Sequence, residues 1–236
     1  MLWIPQRRIL FIHNPKCAGT AIHNAIYSQY PNCKTYWGRF YSRRLDRVLD
    51  LTHLTIQDAA SLFGLRSPLR SFGFVRNPYT RFLSSYHHFK RHNPHYENLT
   101  IEALALDLLD EERIREDWKF VHFAPQYRFF FIDNQQQVDY LWRVEDLPAV
   151  WRQVQEAFGF KRQLDAENTN MAIASDGMPV AVCHRINQLY ARDFQLFRYD
   201  VAHSGHIPNQ LSPIYPQFVA LWPEHRSLDA SDLYRR

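Results

Sequence analysis

Two short apolar segments of this chain each run into an Asn-Pro pair and then into a helical pattern. Ile9–His13 is followed by Asn14-Pro15, and Ser71–Val75 is followed, after Arg76, by Asn77-Pro78. Proline has no N–H to donate to a sheet, so each pair ends its strand. The helices predicted next are Ala21–Tyr30 and Tyr79–Lys90. This alternation predicts a three-layer α/β/α fold with a central parallel sheet covered on both faces.

The remaining pattern extends the same domain. A short turn at Thr52–Thr55 leads into a helix ending near Phe63, and Thr55 and Asp58 have the spacing of a capping box. A length of 236 residues suits one α/β domain, so we expect residues 1–236 to form a single unit. The other predictions are a helical stretch Ile101–Phe130 broken near Pro125, a strand Val138–Val144, helices Pro148–Phe158 and Ile186–Phe194, and an irregular, Pro-rich tail over 200–236 packed on the domain.

Composition narrows the class of protein. The formal net charge of +4 is compatible with an anionic ligand but well below that of a dedicated nucleic-acid binder, so no nucleic-acid partner is expected. Cys17, Cys33 and Cys183 form no CxxC pair, which argues against a disulfide framework or a zinc cluster and for a reducing compartment. No apolar run approaches the roughly 18 residues of a membrane helix. We therefore expect a cytoplasmic protein without a transmembrane segment.

The first Asn-Pro junction has the features of an anion site. In the segment from His13 to Thr20, a strand enters a short loop that opens a helix, where backbone N–H groups converge and the helix dipole adds positive potential. Lys16 adds a full charge, Cys17 and Ala18 are small, and Gly19 is expected to tolerate unusual dihedral angles. An ordinary strand–helix turn with a surface lysine would explain this segment, taken alone, equally well.

The second junction offers side chains suited to phosphate. Arg76 lies at the carboxyl end of a predicted strand, where ligands of open α/β sheets bind. Arg81 and Ser84 are three residues apart in the following helix and share one face. Arginine presents a forked donor to phosphate oxygens, and serine adds a hydroxyl group. The alternative is an arginine that caps a strand end and a serine that faces solvent.

Together the two segments resemble the sulfotransferases that use 3′-phosphoadenosine-5′-phosphosulfate (PAPS). The Pro-Lys-x-x-Gly-Thr form at 15–20 resembles their 5′-phosphosulfate loop, and the Arg-x-Pro-x-x-Arg-x-x-Ser-x-Tyr form at 76–86 resembles their 3′-phosphate motif. Later segments are similar to landmarks of the carbohydrate sulfotransferases and their soluble bacterial relatives. These landmarks are Phe123-Ala124-Pro125-Gln126, Arg143-Val144-Glu145-Asp146-Leu147 and the segment from Leu189 to Phe194.

The resemblance implies a fold similar to the P-loop nucleotide kinases. It also implies PAPS as the donor, its desulfated product 3′,5′-ADP (PAP), a carbohydrate or other hydroxyl-bearing acceptor, and no metal. Lys16 would act in catalysis at the 5′-phosphosulfate, and Arg76 and Ser84 would bind the 3′-phosphate. The donor-binding residues implied are Pro15, Lys16, Cys17, Ala18, Gly19, Thr20, Ala21, Arg76 and Ser84. The alternative is a non-catalytic relative that binds a nucleotide or a glycan.

The predicted catalytic base is His53. The segment Thr52-His53-Leu54-Thr55 resembles the Gly-His-Val-Ser segment of the uronyl 2-O-sulfotransferases, whose histidine is the proposed base. Histidine titrates near neutral pH and can take the proton of an attacking hydroxyl. Here Thr52 stands where that branch has glycine, and Leu51 where it has a further histidine. The alternative is a histidine that caps the helix at Thr55.

Several other features suggest different functions. A cysteine phosphatase needs Cys-x5-Arg, and the residue at that distance from Cys17 is His23. In a nucleotide kinase the lysine follows the second glycine, whereas Lys16 precedes Gly19. The tract with His87, His88, His92 and His95 is read as a solvated basic helix end, with metal binding or an acidic acceptor as alternatives. A second basic group consists of four arginines with interleaved aromatic residues, and it is either a glycan site or an exposed helix face: Arg39, Arg43, Arg44 and Arg47. The segment Asn168-Thr169-Asn170 is predicted to be a loop.

Overall fold

The computed structural model describes residues 1–63, 70–164 and 178–203. The strands of this part of the chain are β1 (Leu2–Ile4), β2 (Ile9–Ile12), β3 (Lys34–Thr35), β4 (Arg39–Ser42), β5 (Arg47–Asp50), β6 (Arg70–Val75), β7 (Phe131–Ile132), β8 (Gln135–Gln136) and β9 (Tyr140–Arg143). The α-helices are α1 (Gly19–Gln29), α2 (Ile56–Phe63), α3 (Pro78–His92), α4 (Glu111–Glu116), α5 (Leu147–Phe158), α6 (Val180–Leu189) and α7 (Ala191–Phe197).

The central sheet has five strands in the order β3-β1-β2-β6-β9, and it is mostly but not entirely parallel. β2, β6 and β9 are parallel, with Phe11 opposite Phe72 and Phe72 opposite Tyr140. β1 is antiparallel to both β2 and β3, so the prediction of a fully parallel sheet is wrong on this side. The reason is the short connection Pro5–Arg8, because a parallel crossover needs a dozen or more residues.

Both faces of the sheet are covered, as the predicted layers require. Alternate residues of β2 point to opposite faces: Ile9 and Phe11 pack with α1 and α5, whereas Leu10 and Ile12 pack with α2, α3, α6 and α7. β6 divides in the same way, with Phe72 and Phe74 on the α1 face. All four residues of β2 are buried, as expected for a strand in the middle layer.

The stretch predicted as helix over Ile101–Phe130 is instead a series of short turns. It contains a π-helix (Ala103–Leu108), α4, and 3₁₀ helices over Trp118–Phe123 and Gln126–Phe129. Two aspartates begin new helical turns within it: the Asp110 carboxylate accepts from the Arg113 N–H, and the Asp117 carboxylate accepts from the Lys119 N–H. Aspartate favours such caps over helix interiors, so the long helix was the wrong prediction.

The structure also differs from three smaller predictions. The helix expected over Ile186–Phe194 is two helices that meet at Tyr190, whose buried hydroxyl donates to the Phe123 carbonyl at 2.8 Å. The segment 39–50, which contains the four arginines of this group, forms the antiparallel hairpin β4–β5 and not a helix face. The turn at Thr52–Thr55 begins as a 3₁₀ helix, Leu51–His53.

Two predictions fall on residues that the structure does not describe. The loop at Asn168-Thr169-Asn170 lies wholly outside the described residues, and so does the expected tail from residue 204 onward. Within 1–63, 70–164 and 178–203, no helix combines the length and the apolar character needed to cross a bilayer.

Candidate active site

The two Asn-Pro junctions meet at one edge of the sheet, where the parallel strands β2 and β6 end. A cleft of about 450 Å³ opens there. This is the edge at which open α/β sheets bind ligands. The cleft is lined by His13, Lys16, Ala18, Gly19, Thr20, Ala21, Trp37, Asp50, Thr52, His53, Arg76, Ser84, His88 and His122. Residues predicted from both motifs therefore share a single cleft, together with the predicted base.

The first loop presents backbone N–H groups to the cleft. Helix α1 has no side-chain cap, and the N–H groups of its first three residues, Gly19 to Ala21, have no hydrogen-bond partner among the described residues. The loop carbonyls are held by arginines: Arg81 Nε donates to the Pro15 oxygen at 3.1 Å and Arg76 Nη1 donates to the Lys16 oxygen at 3.2 Å. Such an arrangement of free N–H groups at a helix start suits an anion.

The glycine of this loop is needed for a different reason than the sequence suggested. The left-handed residues are Lys16 and Ala18, with φ of 63° and 57°, and Gly19 is an ordinary first residue of α1. The ring of His13 lies directly against Gly19, so that an added Cβ would come within 1.8 Å of His13 Nε2. Gly19 therefore gives room to a neighbouring side chain and does not supply unusual dihedral angles.

Two of the predicted loop residues do not line the cleft. Pro15 and Cys17 are buried, and Cys17 Sγ accepts from Asn14 Nδ2 at 3.2 Å. Burial raises the pKa of the Cys17 thiol to about 12, despite the opposing effect of Arg81 and Arg76. A protonated, enclosed thiol is not a nucleophile, which is a second argument against phosphatase chemistry.

The second junction contributes side chains. Arg76 is only 7% exposed, and its Nε donates to Thr80 Oγ1 at 3.1 Å. Arg76 and Ser84, which lies in α3, both line the cleft. The N-terminus of α3 is capped by its own Asn77, whose side chain accepts from the N–H groups of Tyr79 and Thr80.

A buried glutamine joins the two junctions. Gln126 Oε1 accepts from Asn14 Nδ2 at 3.0 Å and from the Arg76 N–H at 2.9 Å, and its Nε2 donates to the Arg76 carbonyl at 2.7 Å. The Asp193 carboxylate in turn accepts from the backbone N–H groups of Gln126 and Tyr127. The segments that resembled family landmarks around Gln126 and Asp193 thus fix the relative positions of the two strand ends.

The landmark segment at 143–147 supports the second Asn-Pro junction. Glu145 Oε1 accepts from the Asn77 N–H at 2.6 Å, and Glu145 Oε2 accepts from the Tyr199 hydroxyl at 2.9 Å. Arg143 donates to the carbonyls of Phe197 and Arg198 at the end of α7. The Glu145 contact holds the loop after β6, the Arg143 contacts hold the end of α7, and neither side chain lines the cleft.

The positive charges of the cleft are close together. The pKa of Lys16 is lowered first by burial and then by the neighbouring Arg76 and Arg91. Burial also lowers the pKa of Arg76. An anionic ligand between these cations would relieve both effects, because an opposite charge favours the protonated form.

His53 lies in the cleft and not at a helix cap. Thr55 caps α2, since its Oγ1 accepts from the Asp58 N–H at 3.1 Å. His53 is instead bonded across the molecule, with Nδ1 at 3.0 Å from the His13 carbonyl oxygen and Nε2 at 3.3 Å from His122 Nε2. Burial lowers the pKa of His53 to about 4, although the Asp50 carboxylate acts in the opposite direction.

Three residues that line the cleft were given no role from the sequence: His13, Asp50 and His122. Trp37, which is 51% exposed, and His88 also line it; the sequence had placed Trp37 in a possible glycan group and His88 among the alternative bases, with His23 and His87. His122 directly precedes the landmark Phe123-Ala124-Pro125-Gln126, a signal that could have drawn attention to it. His88 is part of a histidine-rich tract, yet it is half-buried against the site and not in a solvated helix end.

A second cavity of about 280 Å³ adjoins the cleft. Asp50, Thr52, His88 and His122 line both spaces. The wall of the second cavity also includes Arg39, whose guanidinium lies 3.6 Å from the centre of the Trp118 ring, and Lys119. The arrangement provides room for a second substrate beside the anion site.

Comparison with known proteins identifies the family of the chain. The model of the sulfotransferase family matches residues 1–200, so the chain belongs to that family, whose members transfer sulfuryl groups. Comparisons with curated proteins and with solved structures give no significant match. Among the described residues, His, Cys, Asp and Glu side chains form no group of three or more that could hold a metal ion.

Proposed function

We propose that this protein is a PAPS-dependent O-sulfotransferase acting on a carbohydrate hydroxyl. The observation that carries the proposal is the convergence of four groups on one cleft: the uncapped start of α1, Lys16, the Arg76–Ser84 pair and a pair of histidines. The family supplies the reaction class. The donor, the acceptor class and the residue roles below are inferences from this geometry and chemistry.

The donor binds across the two junctions. The 5′-phosphosulfate lies at the N–H groups of Gly19, Thr20 and Ala21 with Lys16 beside it, because these groups stabilise negative charge without rearrangement. The 3′-phosphate lies at Arg76 and Ser84. As the bond from sulfur to the phosphate oxygen breaks, charge grows on that oxygen, and Lys16 neutralises it.

The acceptor enters from the adjoining cavity. Its hydroxyl attacks sulfur in line with the leaving phosphate, as in phosphoryl transfer, where positioning and charge provide most of the catalysis. The proton of the hydroxyl leaves to the histidine pair of His53 and His122, which lines the cleft. The cavity wall combines the indole of Trp118 with basic side chains, a combination suited to a sugar ring with polar or acidic substituents.

A non-catalytic relative that only binds nucleotide or glycan is the competing function. It would share the anion loop and Arg76 but would not need neutral histidines beside the sulfur. Burial lowers the pKa values of His53 and His122, so the pair is uncharged at neutral pH and offers an imidazole lone pair to a proton, which favours an enzyme.

The test uses the full chain with radiolabelled PAPS and a panel of sugars and oligosaccharides. We expect label transfer to at least one acceptor, and we expect 3′,5′-ADP to raise the melting temperature far more than ADP, which lacks the 3′-phosphate. Tight binding of 3′,5′-ADP without turnover on any acceptor would identify the non-catalytic relative. Equal affinity for the two nucleotides would contradict the 3′-phosphate site.

A further inference from the structure

A short line of hydrogen bonds runs from the end of β2 to the wall of the adjoining cavity. It begins at the carbonyl oxygen of His13, passes through both ring nitrogens of His53 and ends at His122. The three residues come from distant parts of the chain and meet only in the fold. The order of these groups along the line determines which ring nitrogen of each histidine carries hydrogen.

The protonation pattern follows from elementary chemistry. A carbonyl oxygen only accepts, so the His53 nitrogen 3.0 Å from it, Nδ1, carries hydrogen. A neutral imidazole has a single N–H, so His53 Nε2 has a lone pair. His122 Nε2 lies 3.3 Å from that lone pair and must be the donor. In neutral His122 the remaining lone pair is therefore on Nδ1.

Both rings are neutral in the free protein. Burial is the largest effect and lowers the pKa of His122 well below its usual value, as it does for His53. Asp50 alone among the neighbouring charges raises the pKa of His53. The groups that face the pair are His13, Lys16, Asp50, Arg81, His88 and the amino group of Met1.

The two histidines also differ in position. His122 lines the cleft and the adjoining cavity, whereas the lining of the adjoining cavity includes no atom of His53. His122 Nδ1 has no hydrogen-bond partner among the described residues. Both ring nitrogens of His53, in contrast, are already engaged. An incoming hydroxyl thus finds a lone pair on His122 and not on His53.

We propose that His122 Nδ1 is the atom that takes the acceptor proton, and that His53 is a positioning residue that fixes the His122 tautomer. This inference rests on the proposed function and assigns the roles within its histidine pair. The acceptor oxygen forms its bond to sulfur while the bond from sulfur to the phosphate oxygen breaks. The hydroxyl proton moves to His122 Nδ1, and the electron pair of the broken bond stays with 3′,5′-ADP. The resulting His122 imidazolium is stabilised by its Nε2–H bond to His53.

The tautomers are tested directly by ¹⁵N NMR of the imidazole rings, assigned with His53→Asn and His122→Asn. We expect hydrogen on Nδ1 of His53 and on Nε2 of His122 in the wild-type protein near neutral pH. Hydrogen on Nδ1 of His122 would overturn the proposal. This measurement needs no turnover, so it decides the assignment even if the protein transfers no sulfuryl group.

The kinetic test compares matched variants. His122→Ala should lower kcat by about 10²–10⁴-fold, remove the ionisation from the pH profile of kcat, and be partly rescued by added imidazole. His53→Asn keeps an acceptor for the His122 N–H, so it should lose about tenfold or less in kcat and retain a displaced ionisation. His95→Ala, on an exposed residue away from the cleft, is the control.

Each outcome separates the roles. If His53→Asn loses the ionisation while His122→Ala keeps it, His53 is the base and our assignment is wrong. If His122→Ala lowers the melting temperature but leaves kcat per folded molecule unchanged, His122 is structural and the assignment is also wrong. Retained 3′,5′-ADP binding in both variants shows that the donor site is intact. Absence of turnover in the wild-type protein contradicts the proposed function itself.

Discussion

The two Asn-Pro junctions begin alike but present different groups to the same cleft. At the first, Asn14 turns into the core, where its Nδ2 donates to the Phe74 carbonyl at 2.9 Å and to Gln126. At the second, Asn77 turns forward and caps α3. Asn14 therefore links the ends of β2 and β6, whereas Asn77 accepts hydrogen bonds from the N–H groups at the start of α3.

The difference determines what each junction offers a ligand. A helix capped by its own side chain has fewer free N–H groups for an anion, whereas an uncapped start keeps them available. In the proposed function, helix α1 therefore binds the donor through its backbone and Lys16, whereas the junction before α3 binds it through Arg76 and Ser84. The two sites differ in their sensitivity to mutation for this reason, and four predictions test the contrast.

The largest effect is expected at the first junction. Lys16→Ala should lower kcat by about 10²–10³-fold while 3′,5′-ADP binding changes much less, because charge on the leaving oxygen grows only in the transition state. Steady-state kinetics and calorimetric binding measure the two quantities, with Lys161→Ala, on an exposed lysine, as the control. An unchanged kcat with a raised donor KM would mean that Lys16 only holds the ground state.

At the second junction the loss should appear in nucleotide selectivity. Arg76→Ala removes a charge-assisted contact worth about 1.5–3 kcal/mol, so the preference for 3′,5′-ADP over ADP should fall by about 10–150-fold. Competition binding with both nucleotides measures it, and Arg152→Ala in the exposed part of α5 is the matched control. A variant that keeps the full preference would place the 3′-phosphate elsewhere.

The same substitution at the two asparagines should have unequal consequences. Serine caps a helix about as well as asparagine, so Asn77→Ser should be close to neutral. Asn14→Ser cannot replace the buried Nδ2 donor and should cost about 1–3 kcal/mol of unfolding free energy. Urea denaturation of both variants gives the comparison. Equal losses would show that the buried role assigned to Asn14 is wrong.

The smallest effect is a pH dependence that the first junction has and the second lacks. His13 precedes Asn14 and is buried, and burial lowers its pKa well below 6.5. Below pH 6.5 the unfolded chain therefore binds a proton that the folded chain does not, and stability falls as pH falls, by at most about 1.4 kcal/mol per pH unit for one histidine. Arg76, at the corresponding place before Asn77, stays charged throughout this range.

A variant comparison isolates this histidine. Burial raises the pKa of Asp193 to about 6, which makes the folded chain bind a proton and opposes the histidine effect between about pH 4 and 6. Subtracting the stability of His13→Gln from that of the wild-type protein removes the contributions of Asp193 and of the buried His53 and His122, which both proteins share. We expect the difference to shrink as pH falls from 6.5. A difference independent of pH would contradict a neutral, buried His13.

Local sequence determined the parts of the site that depend on near neighbours. The strand, Asn-Pro and helix order at 9–29 and 70–92 was predictable because proline ends a strand and periodicity marks a helix. The Thr55 cap of α2 was predictable for the same reason. Lys16, Arg76 and Ser84 were identified from motif spacing, and the structure brings them into one cleft.

The tertiary structure alone decided what distant residues do to one another. Gly19 is required because the His13 ring packs on it, and the roles of the two histidines depend on a contact between residues 53 and 122. The direction of β1 and the breaks in 101–130 have a different origin, because a short connection and aspartate caps, both local features of the sequence, account for them. A pattern of residues indicates local preference, whereas burial and hydrogen bonds between distant residues determine which polar groups remain available to a ligand.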